Sequence, residues 1–132
     1  VQVKQQNRQQ VRVSIAILNF SESPDIITEL LTVQPTKTRS TVDRAQISNK
    51  NIWILESSVK SSDVEAHITH LISQLKEWPK LFLSLGHFDC VVRCMMEIDE
   101  NTTTTLNLSV STLEILAKMK CSFDLDYYYL GK

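Results

Sequence analysis

The sequence predicts an α+β protein, with one mainly antiparallel sheet and about three helices packed on one face of that sheet. The first observation is that apolar residues occupy every second position in several stretches, which is the period of a β-strand. These stretches are residues 11–18, 51–56, 88–98 and 121–129. The second observation is that apolar residues recur three and four positions apart between the strands, which is the period of an amphipathic helix.

A chain of 132 residues has the size of one domain, and its 42% hydrophobic and 22% charged residues are ordinary for a globular protein. We therefore expect residues 11–132 to form a single α+β domain. Residues 1–10 are rich in glutamine and show no period, so we expect them to form a flexible arm or an extension at the sheet edge.

The first helix has clear boundaries, and a segment without a regular apolar pattern follows it. Ser23 is a favourable N-cap and Pro24 a favourable first residue for a helix that runs to Thr32. Residues 33–50 show no period and are net positive. Threonines that alternate with Lys and Arg nevertheless favour a short strand at 36–41.

The second helix follows the strand at 51–56. Ser62 and Glu65 have the spacing of a capping box, and an apolar stripe continues to Leu75. A proline disfavours the helical conformation in the residue before it, so Pro79 ends this helix. Pro79 can also begin a short second turn that ends near Gly86.

The second half of the chain is rich in strands. Residues 88–98 present one wholly apolar face, and the polar residues 99–101 that follow favour a turn. Residues 103–108 then return in phase, which predicts a β-hairpin. Ser109 is a favourable cap for a third helix, and the chain closes on the strand at 121–129.

Composition excludes several classes of function. The two glycines, Gly86 and Gly131, stand apart, so the glycine-rich loops that hold nucleotide phosphates are excluded and we expect no cofactor. A net charge of −1 gives no general attraction to nucleic acid or anionic membranes. No apolar run approaches the ~20 residues of a membrane span, and we expect no secretion signal, because the first residues do not show a charged segment followed by an apolar one. Three cysteines are an odd number, which argues against a disulfide framework and for a reducing, cytoplasmic location.

Several local patterns in the sequence occur together in a fixed order. They are PDIITELL (24–31) before QPTKT (34–38), WILES (53–57), HITHL (67–71), and LS (108–109) followed by LEILA (113–117) and FDLDY (123–127). Together they resemble the bacterial "domain of unknown function 4279" family over residues 11–129. Thr32 and the segment 118–120 depart from the resemblance, because we expect glycine-containing helix ends there. The resemblance implies a fold rather than an activity, although small bacterial proteins of this sort often accompany toxins as immunity partners.

The histidines and cysteines are expected to be structural or solvated. His67 and His70 lie three residues apart on the polar face of a helix, where we expect solvated side chains and no metal site. Cys90 and Cys94 share one strand face at about 13 Å separation, which is too far for a disulfide. Cys121 could lie across from either, but cysteines on an apolar face are usually inert core residues.

No catalytic arrangement is visible in the sequence. No serine lies in a glycine-flanked turn of the kind that exposes a nucleophile. Asp124 and Asp126 share one strand face, but general acid–base catalysis requires one such carboxyl in an apolar setting, and their neighbours are polar. We therefore expect a protein without enzymatic activity.

The acidic C-terminal third is the preferred candidate for a binding surface. If the turn at 99–101 lies beside the outer face of the last strand, an acidic patch results. Its residues are Glu97, Asp99, Glu100, Asp124, Asp126 and Tyr128. Such a patch suits a basic protein partner, for instance a nuclease toxin, because charge complementarity speeds encounter and tyrosine anchors contacts.

The alternative hypothesis is a nucleic-acid or small-ligand site on the basic segment 36–50. Lys37, Arg39 and Arg44 precede Trp53, and basic groups beside an aromatic ring can hold single-stranded nucleic acid. A few charges give a weak electrostatic attraction, and a tryptophan at this position more often anchors the core. We therefore rank this hypothesis second.

Overall fold

The computed structural model describes residues 11–40, 51–98 and 106–129. The described residues form five strands and four helices. In chain order they are β1 (Val11–Phe20), α1 (Pro24–Leu31), β2 (Lys37–Arg39), β3 (Asn51–Glu56), α2 (Val64–Gln74), α3 (Pro79–Ser84), β4 (Asp89–Ile98), α4 (Val110–Lys118) and β5 (Cys121–Tyr129).

The five strands form one sheet in the order β2-β3-β1-β4-β5. The pairs β2·β3, β3·β1 and β1·β4 are antiparallel, and β4·β5 is parallel. The predicted α+β class with a mainly antiparallel sheet is therefore confirmed. The short turn expected after Pro79 is a fourth helix, α3.

One face of the sheet carries the hydrophobic core. In β1 the buried residues Val11, Val13, Ile15 and Ile17 alternate along the strand, as the sequence predicts. The aligned residues of β3 and β4 extend the same apolar face. Buried residues from all four helices belong to this one core cluster, so the helices lie on this face of the sheet.

The opposite face of the sheet, here called the open face, carries no helix among the described residues. Alternation and register place there Arg12, Ser14, Ala16 and Leu18 of β1, Lys37 and Arg39 of β2, Ile52, Ile54 and Glu56 of β3, Asp89, Val91, Arg93, Met95 and Glu97 of β4, and Ser122, Asp124, Asp126 and Tyr128 of β5. The centre of this face is apolar, and most of its charged groups lie nearer its margins.

The predicted strand at 36–41 is confirmed in part, as the three-residue β2. The predicted hairpin after β4 is wrong for the residues described: Leu106 and Leu108 belong to no strand. The neighbours of β4 are β1 and β5, and the chain reaches β5 through α4. A parallel neighbour requires such a crossover, because a tight turn cannot join parallel strands. Residues 99–105 lie outside the described part.

The capping box predicted at the start of α2 is wrong, because Asp63 and not Ser62 is the N-cap. The helix begins at Val64, so the carboxylate of Asp63, not the hydroxyl of Ser62, accepts a hydrogen bond from the Glu65 N–H at 3.1 Å. The Glu65 carboxylate instead accepts a hydrogen bond from the backbone N–H of Ser109, the N-cap of α4. Its hydrogen bonds with Ser109 lower the pKa of Glu65. The pair thus ties the starts of α2 and α4 together.

Thr32 ends α1 in the left-handed conformation, with φ 55° and ψ 38°. This conformation is costly for a β-branched residue and costs glycine little. We expect Thr32→Gly to raise the free energy of unfolding by about 1 kcal/mol. Glycine removes backbone strain from the folded state, and this gain exceeds the loss from the greater conformational entropy of the unfolded chain. Urea denaturation measures the change. As the matched control, Glu29→Gly inside α1 should lower stability by a similar amount; equal losses in both variants would contradict the prediction.

Candidate protein-binding surface

The acidic residues of the preferred candidate come together on β4 and β5 as far as the structure describes them. Asp124, Asp126 and Tyr128 alternate along the open face of β5 and are exposed. Glu97 of β4 is also exposed and lies directly beside Tyr128 in the parallel register. We call Glu97, Asp124, Asp126 and Tyr128 the acidic edge. Asp99 and Glu100 lie outside the described residues.

Two arginines limit how far the negative surface extends. Arg93 of β4 lies beside Asp124 in the register. Arg12 of β1 forms an ion pair with Glu56 of β3, at 3.2 Å between Nε and Oε2. The carboxylates of β5 lie on the outermost strand of the sheet. Among the described residues of β4, Arg93 is the one arginine, and it lies beside Asp124 and not beside Asp126. Negative potential is expected to be strongest near Asp126, Tyr128 and Glu97.

Tyrosines extend this surface to the other face of β5. Tyr127, Tyr128 and Tyr129 are 62%, 48% and 68% exposed. The sequence pattern predicts Tyr127 and Tyr129 on the apolar side of the strand, and it does not predict that they are exposed. Phe123 and Leu125 on that side are half-buried against the core, whereas the two tyrosines farther along are not. The sequence feature that indicates an exposed aromatic surface here is the run of three consecutive tyrosines at the end of the strand.

The alternative basic site is not assembled as the sequence suggests. Lys37 and Arg39 are exposed on β2, and register places them on the open face. Trp53 faces the core and has no exposed surface, and its indole N–H donates a hydrogen bond to Thr28 Oγ1 at 3.0 Å. The expectation that Trp53 anchors the core is correct, and its use as a ligand contact is wrong. Arg44 lies outside the described residues.

His67 differs from its prediction as a solvated residue, because it is 2% exposed. Its Nε2 lies 2.7 Å from the Ser61 carbonyl oxygen, and its Nδ1 lies 2.8 Å from Ser57 Oγ. A carbonyl oxygen can only accept, so Nε2 carries a proton and donates; in the neutral ring Nδ1 then accepts from the Ser57 hydroxyl. The histidine therefore holds the loop between β3 and α2 against the core. His70 is half-buried.

Two of the three cysteines differ from their prediction, whereas Cys94 is the buried core thiol that the sequence predicts. Cys90 and Cys121 form a disulfide, with 4.8 Å between their Cα atoms, and not two inert thiols. The parallel register of β4 and β5 places them directly side by side, which the sequence spacing of 31 residues could not reveal. Cys94 is a buried free thiol, and burial together with the charge of Asp126 raises its pKa from 9.0 to about 11.

No group of three or more His, Cys, Asp or Glu side chains in residues 11–40, 51–98 and 106–129 could hold a metal ion. In the same ranges, no helix has the length and apolarity that crossing a membrane requires.

Fold and surface together define an α+β protein whose helices cover one sheet face and whose other face ends in an acidic, tyrosine-rich edge strand. The chain belongs to the family described as "Domain of unknown function (DUF4279)", whose family model matches residues 9–130. The resemblance inferred from the sequence motifs is therefore confirmed. Comparison with curated proteins and with solved structures gives no match.

Proposed function

We propose that this protein is a non-enzymatic protein-binding domain that binds a basic partner through the acidic edge. The observation that carries the proposal is the arrangement of β5, where exposed carboxylates and three exposed tyrosines share one strand at the sheet margin. Tyrosine is enriched at protein interfaces, and complementary charge speeds association and selects partners. In its concrete form, the proposal is an immunity protein that neutralises a cognate bacterial toxin, for instance a basic nuclease, by covering its active site.

The surroundings of the carboxylates support binding rather than catalysis. Asp124 and Asp126 are exposed, whereas a general acid would need an apolar environment to hold its proton near neutral pH. The buried pair of His67 and Ser57 is engaged with the backbone at Ser61, which supports a structural role for it. The proposal accordingly contains no catalytic step and no cofactor.

The proposed location is the cytoplasm, where an immunity protein would meet an internally made toxin. The Cys90–Cys121 disulfide weighs against this part of the proposal, because cytosolic reductants keep most thiols reduced. Trapping of thiols at the moment of cell lysis, followed by mass spectrometry, measures the oxidation state of the pair. A fully oxidised pair would contradict a cytoplasmic location, and a reduced pair would support it.

The test of the proposed function begins with capture of partners by the purified protein from its host, identification of a basic protein, and measurement of its affinity by calorimetry. We expect the double variant Asp124→Lys, Asp126→Lys to weaken this affinity about a hundredfold or more, because like charges then face each other at the interface. Protection against the partner's toxicity should fall in parallel.

The matched control is Glu29→Lys, Glu114→Lys, which changes the net charge by the same amount at exposed positions on α1 and α4. We expect this control to bind within about threefold of the unchanged protein, the residual effect being long-range attraction. An equal loss of affinity in both variants would mean that the partner responds to the overall charge of the protein and not to the acidic edge in particular. Unchanged affinity in the first variant would show that the acidic edge is not the interface.

A further inference from the structure

We infer that the partner binds β5 as an added β-strand, through an extended segment in which lysine or arginine alternates with apolar residues. The inference rests on the proposed function and specifies the chemistry of the partner at the acidic edge. It depends on three features of β5: its place in the sheet, the difference between its two faces, and its fixed attachment to β4.

The place of β5 leaves one side of its backbone available. It is the last strand in the order β2-β3-β1-β4-β5, and among the described residues only β4 pairs with it. It is nine residues long. Alternate residues of an edge strand direct their N–H and C=O groups away from the sheet, and an extended peptide can pair with that row.

The two faces of β5 demand different side chains from an added strand. On the open face, Asp124 and Asp126 stand two residues apart, so basic residues two apart on the added strand would lie opposite them. On the core side, Phe123 and Leu125 are only half-buried. Apolar side chains on the added strand would complete their burial. The partner segment therefore alternates basic and apolar residues.

The same charges make a second copy of the chain a poor occupant. Pairing of β5 with β5 would bring the carboxylates of two copies together, which is unfavourable in direct cross-strand positions. Lys37 and Arg39 on the opposite edge strand have the correct sign and spacing, but β2 is only three residues long. A longer basic strand from another protein fits the full length of β5 better.

β5 is held in place before any partner arrives. β4 pairs with it along its whole length, which holds β5 whether or not the disulfide between its first residue, Cys121, and Cys90 of β4 is formed. Leu116 and Met119, at the end of α4 and just after it, are buried in the core next to the start of β5. A template fixed in this way loses little conformational entropy on binding, which favours strand addition.

The test uses synthetic nine-residue peptides with a fluorescent label and the intact protein with its disulfide formed, followed by fluorescence polarisation. The probe alternates lysine and valine. The control peptide has the same composition, with its lysines grouped at one end and its valines at the other. We expect the alternating peptide to bind at least about tenfold more tightly, since only it can place both residue types on their matching faces.

Methylation of backbone nitrogens distinguishes strand pairing from simple charge attraction. Two further peptides carry N-methyl groups on every second residue, in one alternation or the other. We expect one of them to lose binding and the other to keep it, because an added strand directs only alternate N–H groups towards β5. Equal binding by both methylated peptides, or by the grouped peptide, would overturn strand addition.

A charge-reversed protein variant tested with a charge-reversed peptide shows that a loss of binding does not come from misfolding, because a misfolded variant would bind neither peptide. The variant Asp124→Lys, Asp126→Lys should bind an alternating glutamate–valine peptide more tightly than the lysine–valine peptide, which reverses the preference of the unchanged protein. Absence of binding by every peptide would overturn the inference. The proposed function would still stand if charge reversal weakened binding of the whole partner, so the two failures are distinguishable.

Discussion

Replacement of Trp53 by alanine is expected to lower the free energy of unfolding by about 4 kcal/mol, the largest single effect that we predict. The side chain has no exposed surface and is the largest of the fully buried residues. Its indole N–H donates to Thr28 Oγ1, so the residue joins β3 to α1. Truncation leaves a cavity in the core and an unpaired hydroxyl on Thr28. Urea denaturation followed by circular dichroism measures the loss.

The matched control is Trp53→Phe, which keeps an aromatic ring in the core and removes only part of the volume and the hydrogen bond. We expect it to cost about 1–2 kcal/mol. A loss below about 1 kcal/mol for the alanine variant would mean that Trp53 is not a core anchor. Such a result would return the basic segment with Lys37 and Arg39 to consideration as a ligand site.

Loss of the Cys90–Cys121 disulfide is expected to lower stability by about 3–4 kcal/mol. The bond closes a loop with a sequence separation of 31 residues, and the chain-entropy estimate for a loop of that length lies in this range. Denaturation of the protein with and without dithiothreitol measures the difference. The double variant Cys90→Ala, Cys121→Ala is the control, because dithiothreitol should leave its stability unchanged.

Reaction with a thiol reagent gives a second measurement in the same experiment, because Cys94 is the one thiol of the oxidised protein. Burial raises the pKa of Cys94 to about 11, so the folded, oxidised protein should not react with a thiol reagent at pH 8. After reduction, Cys121, which is half-buried, should become reactive first. Equal unfolding midpoints before and after reduction would show that the disulfide contributes nothing to stability. Reaction of the folded, oxidised protein would contradict the burial of Cys94.

Local signals of the chain were sufficient to predict most of its elements. The alternation in β1 and the cap at Ser23 depend on neighbours within a few residues, and both occur as the sequence predicts. The same is true of the strand at Asn51–Glu56 and the helix capped by Ser109. Short-range periodicity is set by the backbone geometry of helices and strands, and a single sequence displays it directly.

The candidate surface was predictable only in part. The alternation of Asp124, Asp126 and Tyr128 along one strand is a local property, and it correctly predicts that they share an exposed face. That Glu97 lies next to Tyr128 follows from the register of β4 and β5, which the sequence does not contain. The exposure of Tyr127 likewise depends on how far the helical layer extends over β5, which is a property of packing.

The sequence by itself determined the α+β class, the positions of most helices and strands, and which residues of each strand share a face, because these follow from local periodicity. Only the tertiary structure decided that β4 lies beside β5, that Cys90 therefore meets Cys121, and that His67 is buried. Each of these depends on contacts between residues that are distant in the chain or on packing of several elements together. Long-range pairings are selected by the total burial and hydrogen bonding of the fold, and no short stretch of sequence encodes that sum.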